Sequence, residues 1–186
     1  LLKTVRENDI LCIADEVLTG FGRTGTLFAS ESVPTKADIL CMSKGITGGT
    51  MALGATACTA EIFNAFLSDD RQRTFFHGHS YTANPIACAA GLASLDLLQK
   101  KTCIEQIETI TKKNKNFLND KLPDGGTEMV LNARTIGTVL AFELNSGQHD
   151  YVSRIGGVIR QKAMQEGIYL RPLGNTMYIM PPYCIS

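Results

Sequence analysis

Two residues with reactive side chains end two apolar runs of similar length. Asp15 follows residues 10–14, and Lys44 follows residues 39–43. Neither run alternates apolar with polar residues, which is typical of strands buried on both faces of a parallel sheet. Ligands of open α/β sheets bind at the carboxyl ends of the strands. The pattern therefore predicts that a carboxylate and an amine meet at one edge of a sheet.

Glycine-rich stretches follow both charged residues. Three glycines lie within residues 16–25, and Gly45 directly follows Lys44. An acid and a lysine at strand ends also fit a surface ion pair, which contributes only about 0–1 kcal/mol. The glycines favour a ligand site instead, because they allow the backbone to approach a ligand closely.

Pyridoxal phosphate is a cofactor that needs this pair of side chains. It is bound covalently through a lysine, and a carboxylate keeps its pyridine nitrogen protonated. The sequence thus favours Lys44 as the catalytic, cofactor-linked lysine and Asp15 as the partner of the ring nitrogen. Such a lysine must be nucleophilic and act as a general base, and desolvation helps by lowering its pKa.

Other polar residues are candidate ligand contacts, each with a structural alternative. His79 and Ser80 precede a predicted helix and offer phosphate donors near its positive end, but they also suit helix capping. Arg171 and Arg23 are suited to binding a substrate carboxylate, but they could equally be ordinary arginines exposed to solvent. His77 and His79 are candidates for acid–base catalysis, with a purely structural role as the alternative.

Charge and cysteine content narrow the choice of partners and compartment. The chain has 18 basic and 18 acidic residues, so no positive excess favours nucleic acid or a membrane surface as a partner. The six cysteines form no CxxC pair, and most lie in apolar runs. This pattern predicts reduced thiols in a cytoplasmic protein and no metal site.

Periodicity and turn residues predict alternating strands and helices. The third strand is expected to run antiparallel to the second, because the loop between them is too short for a parallel crossover. We expect Thr59 to cap a helix, and the small residues after Pro85 to give the next helix a closely packing face. The predicted strands are residues 10–14, 39–43, 52–58, 128–133, 137–144, 168–171 and 176–180, and the helices 60–67, 84–101, 104–122 and 151–166.

Two stretches resemble motifs of the class III aminotransferases, a family of pyridoxal-phosphate enzymes. Residues 13–25 resemble the family signature, and residues 37–45 resemble the segment of the cofactor lysine. The resemblance implies an α/β fold of pyridoxal-phosphate type I. It combines a mostly parallel sheet in a large domain with a smaller α+β domain, in a homodimer with active sites at the subunit interface.

Four other stretches resemble the members of this family that act in biotin synthesis: residues 47–51, 76–81, 171–174 and 178–183. This resemblance implies transfer of an amino group from S-adenosylmethionine to 8-amino-7-oxononanoate, giving 7,8-diaminononanoate. Lysine is an alternative donor. The sequence also fits a class III enzyme acting on an ω-amino acid or a diamine, or a non-catalytic fragment that keeps the fold.

The resemblance also implies roles for individual residues. Asp15 and Lys44 match the two cofactor-binding positions named above. His79 and Ser80 match the segment that reaches the phosphate of the neighbouring subunit's cofactor, although some members have Pro-Thr there. Arg171 matches the arginine that binds the carboxylate of the oxononanoate. Positions close to the substrates are matched by Gly78, Tyr178 and Arg23.

The family comparison further implies that this sequence is the C-terminal part of a longer protein. The phosphate loop and the ring-stacking aromatic of the family's N-terminal half are absent from it. Residues 1–102 are expected to form part of the cofactor-binding large domain, and residues 103–186 the small domain without its tail. By itself, the chain is expected to be inactive and prone to aggregation.

Overall fold

The computed structural model describes residues 2–34, 36–122, 125–145 and 154–185. The chain divides into two compact units, Leu1–Lys100 and Lys101–Ser186. No helix in the described part of the chain is long and apolar enough to cross a membrane.

Unit 1 is built on a sheet of three short strands. After helix α1 (Leu2–Glu7), the chain forms β1 (Ile13–Asp15), β2 (Ile39–Met42) and β3 (Ala55–Cys58), in the order β1-β2-β3. β1 and β2 are parallel, with Asp15 opposite Cys41. β2 and β3 are antiparallel, which confirms the orientation predicted from their short connection. β1 is shorter than predicted and begins at Ile13 rather than at residue 10.

The prediction that the first strand is buried on both faces is wrong in this structure. Ile13 is 61% exposed, and Leu11 just before it is equally exposed. β1 lies at the edge of the sheet and has one strand neighbour among the described residues. β2 has a strand on each side, and its residues are all partly buried.

Two longer helices complete unit 1. α2 (Ala60–Phe66) begins at the Thr59 cap, as predicted, because the Thr59 hydroxyl accepts the Ile62 N–H at 3.4 Å. α3 (Pro85–Leu98) is capped by Asn84 and ends a few residues earlier than predicted.

The predicted small-residue face of α3 is also confirmed. A Cβ placed on Gly91 would lie 3.5 Å from the Ile46 carbonyl oxygen, and the Ser94 hydroxyl donates to the Gly45 carbonyl at 3.4 Å. The helix therefore packs directly on the short 3₁₀ helix Lys44–Thr47 that follows β2.

Unit 2 packs a helix on an antiparallel sheet. Its elements are α4 (Lys101–Lys121), β4 (Val130–Ile136), β5 (Val139–Leu144), α5 (Ile155–Gln165) and β6 (Thr176–Ile179). The strands lie in the order β4-β5-β6. The apolar core of the unit includes Ile107, Ile110, Leu140 and Met177.

The predicted strand at residues 168–171 does not form. Leu173 and Thr176 instead pair across the tight turn at Gly174-Asn175, with both backbone hydrogen bonds at 2.9 Å. The residues before that turn have no strand partner among those described, so they form no β-sheet hydrogen bonds despite their β propensity. The predicted start of the last helix, at residue 151, lies outside the described residues.

Candidate active site

Asp15 and Lys44 lie at the same edge of the unit 1 sheet. Asp15 is the last residue of β1. Lys44 is the first residue of the 3₁₀ helix that begins just after β2. Because β1 and β2 are parallel, the two side chains start from the carboxyl ends of neighbouring strands.

The Asp15 carboxylate is oriented by the backbone that follows it. The Val17 N–H donates to Asp15 Oδ1 at 3.0 Å, in the manner of an Asx turn. The residue is exposed, so its carboxylate is accessible to a ligand. This turn directs the chain away from the strand into the loop formed by residues 16–28, hereafter the glycine loop.

Lys44 has a backbone conformation that is unusual for a residue with a side chain. Its φ is +43°, in the left-handed region. Such a conformation costs on the order of 1–3 kcal/mol and persists only where the surroundings impose it. The side chain is exposed in this chain, so its amine is accessible to a ligand.

Gly45 makes room for an aromatic side chain beside Lys44. A Cβ at Gly45 would lie 2.9 Å from Cβ and 3.0 Å from Cδ2 of Phe21. Phe21 is buried and packs edge-on against Phe28, with 5.5 Å between the ring centroids. The glycine loop is therefore in direct contact with the backbone next to Lys44.

Glu16 anchors the glycine loop from inside. It is only 2% exposed, and its carboxylate accepts the Ala29 N–H at 3.1 Å and the Ser30 N–H at 2.6 Å. The Thr19 hydroxyl also donates to it. Burial raises the pKa of Glu16, but these hydrogen bonds outweigh burial and hold that pKa below its ordinary value.

Sequence reasoning did not single out Glu16 or Phe21. The signal was present, since both lie in the stretch of residues 13–25, in which Glu16 is one of two acids and Phe21 is the one aromatic residue. An acid in such a stretch is either a ligand or a buried anchor. Sequence alone does not separate the two, because the distinction depends on which backbone N–H groups the loop brings to the carboxylate.

Residues 45–50, after Lys44, form a turn that is held by side-chain hydrogen bonds. The buried Thr47 hydroxyl donates to the Met51 carbonyl at 2.7 Å, and the Thr50 hydroxyl donates to the Thr47 carbonyl at 2.8 Å. Gly48, at φ +60°, ends the 3₁₀ helix. The segment after Lys44 is therefore a fixed turn whose shape depends on side-chain hydrogen bonds.

The residues predicted to reach a phosphate lie in an exposed segment of unit 1. His79 and Ser80, together with the predicted substrate contact Gly78, precede α3 and are all exposed. The His79 N–H donates to the Thr82 hydroxyl, and the Tyr81 N–H donates to His79 Nδ1, both at 3.1 Å. These bonds lie within one local turn, which faces solvent in this chain.

The remaining candidate residues are divided between the units. Arg23 lies in the glycine loop and is partly buried. Arg171 is exposed and comes just before the turn at Gly174-Asn175 in unit 2. Tyr178 lies on β6 opposite Ala141 and is partly buried. Asp15 and Lys44 thus share one sheet edge of unit 1, whereas Arg171 and Tyr178 belong to the other unit.

Comparison with known families agrees with the resemblance seen in the sequence. The sequence profile of the aminotransferase class-III family matches residues 1–186. The chain belongs to the class III aminotransferases.

Two relatives of this class III aminotransferase carry the same name. The adenosylmethionine-8-amino-7-oxononanoate aminotransferases of Synechococcus elongatus and Geobacter sulfurreducens are 43% and 40% identical to it. These matches cover 95% and 100% of this chain, but 40% and 42% of the relatives. The chain therefore spans about two fifths of the length of the curated relatives it matches.

A solved structure shows the same fold. The adenosylmethionine-8-amino-7-oxononanoate aminotransferase of Methanocaldococcus jannaschii, 37% identical, superposes with a TM-score of 0.90. The match covers 100% of this class III aminotransferase and 44% of that chain. It confirms the predicted α/β fold of pyridoxal-phosphate type I.

Proposed function

We propose that this chain forms part of a pyridoxal-phosphate-dependent aminotransferase of biotin synthesis. The reaction is transfer of an amino group from S-adenosylmethionine to 8-amino-7-oxononanoate, giving 7,8-diaminononanoate. The observation that carries the proposal is the presence of Asp15 and Lys44 at the carboxyl ends of two neighbouring parallel strands. The names of the relatives support the choice of substrates.

The residues present fit the cofactor chemically. The amine of Lys44 is the group that binds pyridoxal phosphate covalently, and the Asp15 carboxylate suits a protonated pyridine nitrogen. Both side chains are exposed at the sheet edge, and the Val17 N–H fixes the orientation of Asp15. Gly45, directly after Lys44, has no side chain, and Phe21 occupies the space that a side chain would take.

When bound, the cofactor supplies an aromatic ring that accepts electrons from the substrate carbon that loses a proton. Lys44 Nζ takes that proton as a general base and returns it to a different carbon as a general acid. Asp15 keeps the ring nitrogen protonated. The strained backbone at Lys44 supports this role, because strain of this kind clusters at functional sites.

Four residues are proposed to contact the substrates. The guanidinium of Arg171 binds the carboxylate of the oxononanoate, for which its fork geometry is suited. Other substrate contacts are assigned to Gly78, Tyr178 and Arg23. Two of the four residues, Arg171 and Tyr178, belong to unit 2, which we assign to the small domain, and unit 1 to the large domain.

A second copy of the protein completes the site. His79 and Ser80 are proposed to bind the phosphate of the cofactor in the neighbouring subunit of a homodimer. Their segment is exposed, and it carries Phe76 and Tyr81 with 84% and 75% of their surfaces accessible. Exposed aromatic residues of this size are common at protein interfaces.

Six free cysteines support a reducing, cytoplasmic location.

An absorption spectrum tests the cofactor proposal. The protein, expressed with whatever sequence flanks these residues in its gene, should show the near-visible band of lysine-bound pyridoxal phosphate. Lys44→Ala should abolish that band, because no other residue supplies the covalent link. Lys36→Ala is the matched control, since Lys36 is an exposed lysine near the opposite end of β2. A band that persists in Lys44→Ala would contradict the assignment.

An amino-donor assay tests the substrate proposal. S-adenosylmethionine, lysine and β-alanine are compared as donors, with 8-amino-7-oxononanoate as acceptor. Activity with adenosylmethionine supports the proposal, and activity with lysine alone keeps the product but changes the donor. Activity with β-alanine alone points to the ω-amino-acid aminotransferases. A protein with no bound cofactor and no activity would be a non-catalytic member of the family.

A further inference from the structure

We infer that Glu16 is a positioning residue that holds the backbone at Lys44 in its left-handed conformation, acting through the glycine loop and Phe21. The inference rests on the proposed function, because it gives Glu16 a role at the same site. It assigns Glu16 no contact with substrate or cofactor.

The first step is that Glu16 ties the two limbs of the glycine loop together. Its carboxylate accepts the N–H groups of Ala29 and Ser30, beyond the far end of the loop. Its own carbonyl accepts the Gly20 N–H at 3.0 Å, near the start of the loop. A hydrogen bond to a charged group is stronger than a neutral one, so this buried carboxylate is a firm anchor.

The second step is that the tied loop fixes Phe21. Phe28 lies next to Ala29, whose N–H Glu16 holds, and the Phe28 ring packs against the ring of Phe21. The Phe28 ring is closely packed on the side that faces Gly20, where a Cβ would lie 3.2 Å from the ring. Phe21 itself has φ +63°, a conformation that the surrounding contacts must maintain.

The third step is that Phe21 presses on the residue after Lys44. The contact is so close that a Cβ at Gly45 would lie 2.9 Å from Phe21 Cβ. Closely packed groups of this kind have few alternative arrangements. If Phe21 moves, Gly45 gains freedom, and the strained φ of Lys44 loses the contact that opposes its relaxation.

A direct role for Glu16 as a second cofactor carboxylate is excluded by burial. Asp15 is exposed at the sheet edge, whereas Glu16 is 2% exposed. Glu16 also uses both carboxylate oxygens internally, with Oε1 accepting from Ser30 and Oε2 from Ala29. The two adjacent acids therefore have different tasks, since one faces a ligand and the other holds the loop.

Hydrogen exchange in the cofactor-free and cofactor-bound protein tests this inference. The informative amides are those of Ile46 and Gly48, which donate to the Ser43 and Gly45 carbonyls at 3.1 and 3.0 Å. Glu16→Gln should raise their exchange rates by about tenfold, because a charge-assisted hydrogen bond is lost. Glu31→Gln is the matched control, being an exposed acid on the same 3₁₀ helix as Ser30.

Phe21→Leu separates positioning from general loosening of the loop. It should also speed exchange at Ile46 and Gly48, while Ala29 and Ser30 remain as protected as in the wild type. The double variant Glu16→Gln/Phe21→Leu should raise the exchange rates of Ile46 and Gly48 little more than the stronger of the two single variants. The two substitutions are not additive, because Glu16 acts on Lys44 through Phe21.

A second readout follows Lys44 itself. The rate at which pyridoxal phosphate is fixed to Lys44 by borohydride, measured by peptide mass, should change in both variants and not in Glu31→Gln. Labelling of Lys44 that matches the wild type in both variants, with exchange altered only at Ala29 and Ser30, overturns the inference.

The two proposals fail in distinguishable ways. If wild-type Lys44 is never labelled, the proposed function fails, and exchange at Ile46 and Gly48 still decides the role of Glu16. If Glu16→Gln does not fold, Phe21→Leu decides, since unchanged exchange at those two amides overturns the inference.

Discussion

At the scale of single residues, the site depends on neighbours that do no chemistry. Lys44 has a strained φ of +43°, and Gly45 beside it has no space for a side chain. The space is taken by Phe21, which comes from a different loop. The surroundings of Lys44 are thus defined by packing as well as by its own amine, and the contact with Phe21 explains why a glycine follows it.

The buried Glu16 carboxylate predicts a pH dependence of stability. Its folded-state pKa lies below the ordinary value of 4.5, so between the two values the unfolded chain binds more protons. The free energy of unfolding contributed by Glu16 is therefore fully present above pH 4.5 and is lost as pH falls through the folded pKa. Denaturant unfolding at a series of pH values from about 3 to about 7 measures this loss.

Substitution isolates the contribution of this one group. Glu16→Gln should be less stable than the wild type at neutral pH, and the difference should shrink on acidification. Glu31→Gln is the control, since Glu31 is an exposed acid on the same 3₁₀ helix as Ser30, whose N–H binds Glu16. If the free energies of unfolding of the wild type and of Glu16→Gln fell equally as the pH is lowered, the lowered pKa of Glu16 would be contradicted.

At the scale of elements, the sequence predicted those features of helices and strands that depend on residues close together in the chain. β2, the Thr59 cap and the small face of α3 were predictable, because hydrophobic runs, capping residues and small residues act locally. The strand predicted at 168–171 failed, because pairing needs a partner that local sequence does not specify.

The candidate site shows the same division between local and distant information. The sequence pattern predicted that Asp15 and Lys44 meet at one sheet edge, because each follows a strand-like run and a family motif surrounds each. It did not reveal that the glycine loop folds back so that Phe21 touches Gly45. That contact joins residues distant in the chain, and it follows from how Glu16 closes the loop. The exposure of Ile13 was missed because burial depends on the other strands of the sheet.

The cap of α3 gives a prediction at this scale. Asn84 Oδ1 accepts the N–H groups of Ile86 and Ala87 at 3.0 and 3.2 Å. Asn84→Ala removes both bonds and should lower the free energy of unfolding by about 1 kcal/mol. Asn84→Asp keeps the acceptor and adds a charge that the helix N-terminus favours, so it should restore stability. Urea denaturation compares the three proteins, and equal midpoints would contradict a capping role.

At the scale of the whole molecule, unit 1 has an open sheet edge at the strand that ends in Asp15. β1 is an edge strand of a three-stranded sheet, and Ile10, Leu11 and Ile13 around it are 57%, 61% and 61% exposed. The chain covers 40% of its Synechococcus relative. Exposed apolar residues next to an open strand edge favour association with other chains.

This exposure predicts how the 186-residue polypeptide behaves when it is expressed by itself. It should self-associate as its concentration rises and hold no stable pyridoxal phosphate, because Lys44 and Asp15 are open to water. Size-exclusion chromatography with light scattering and cofactor absorbance measures both properties. Ile13→Lys should reduce association by placing a charge on the edge strand. Met129→Lys is the control, since Met129 is 75% exposed but lies outside that sheet. A stable, cofactor-bound monomer would contradict the prediction.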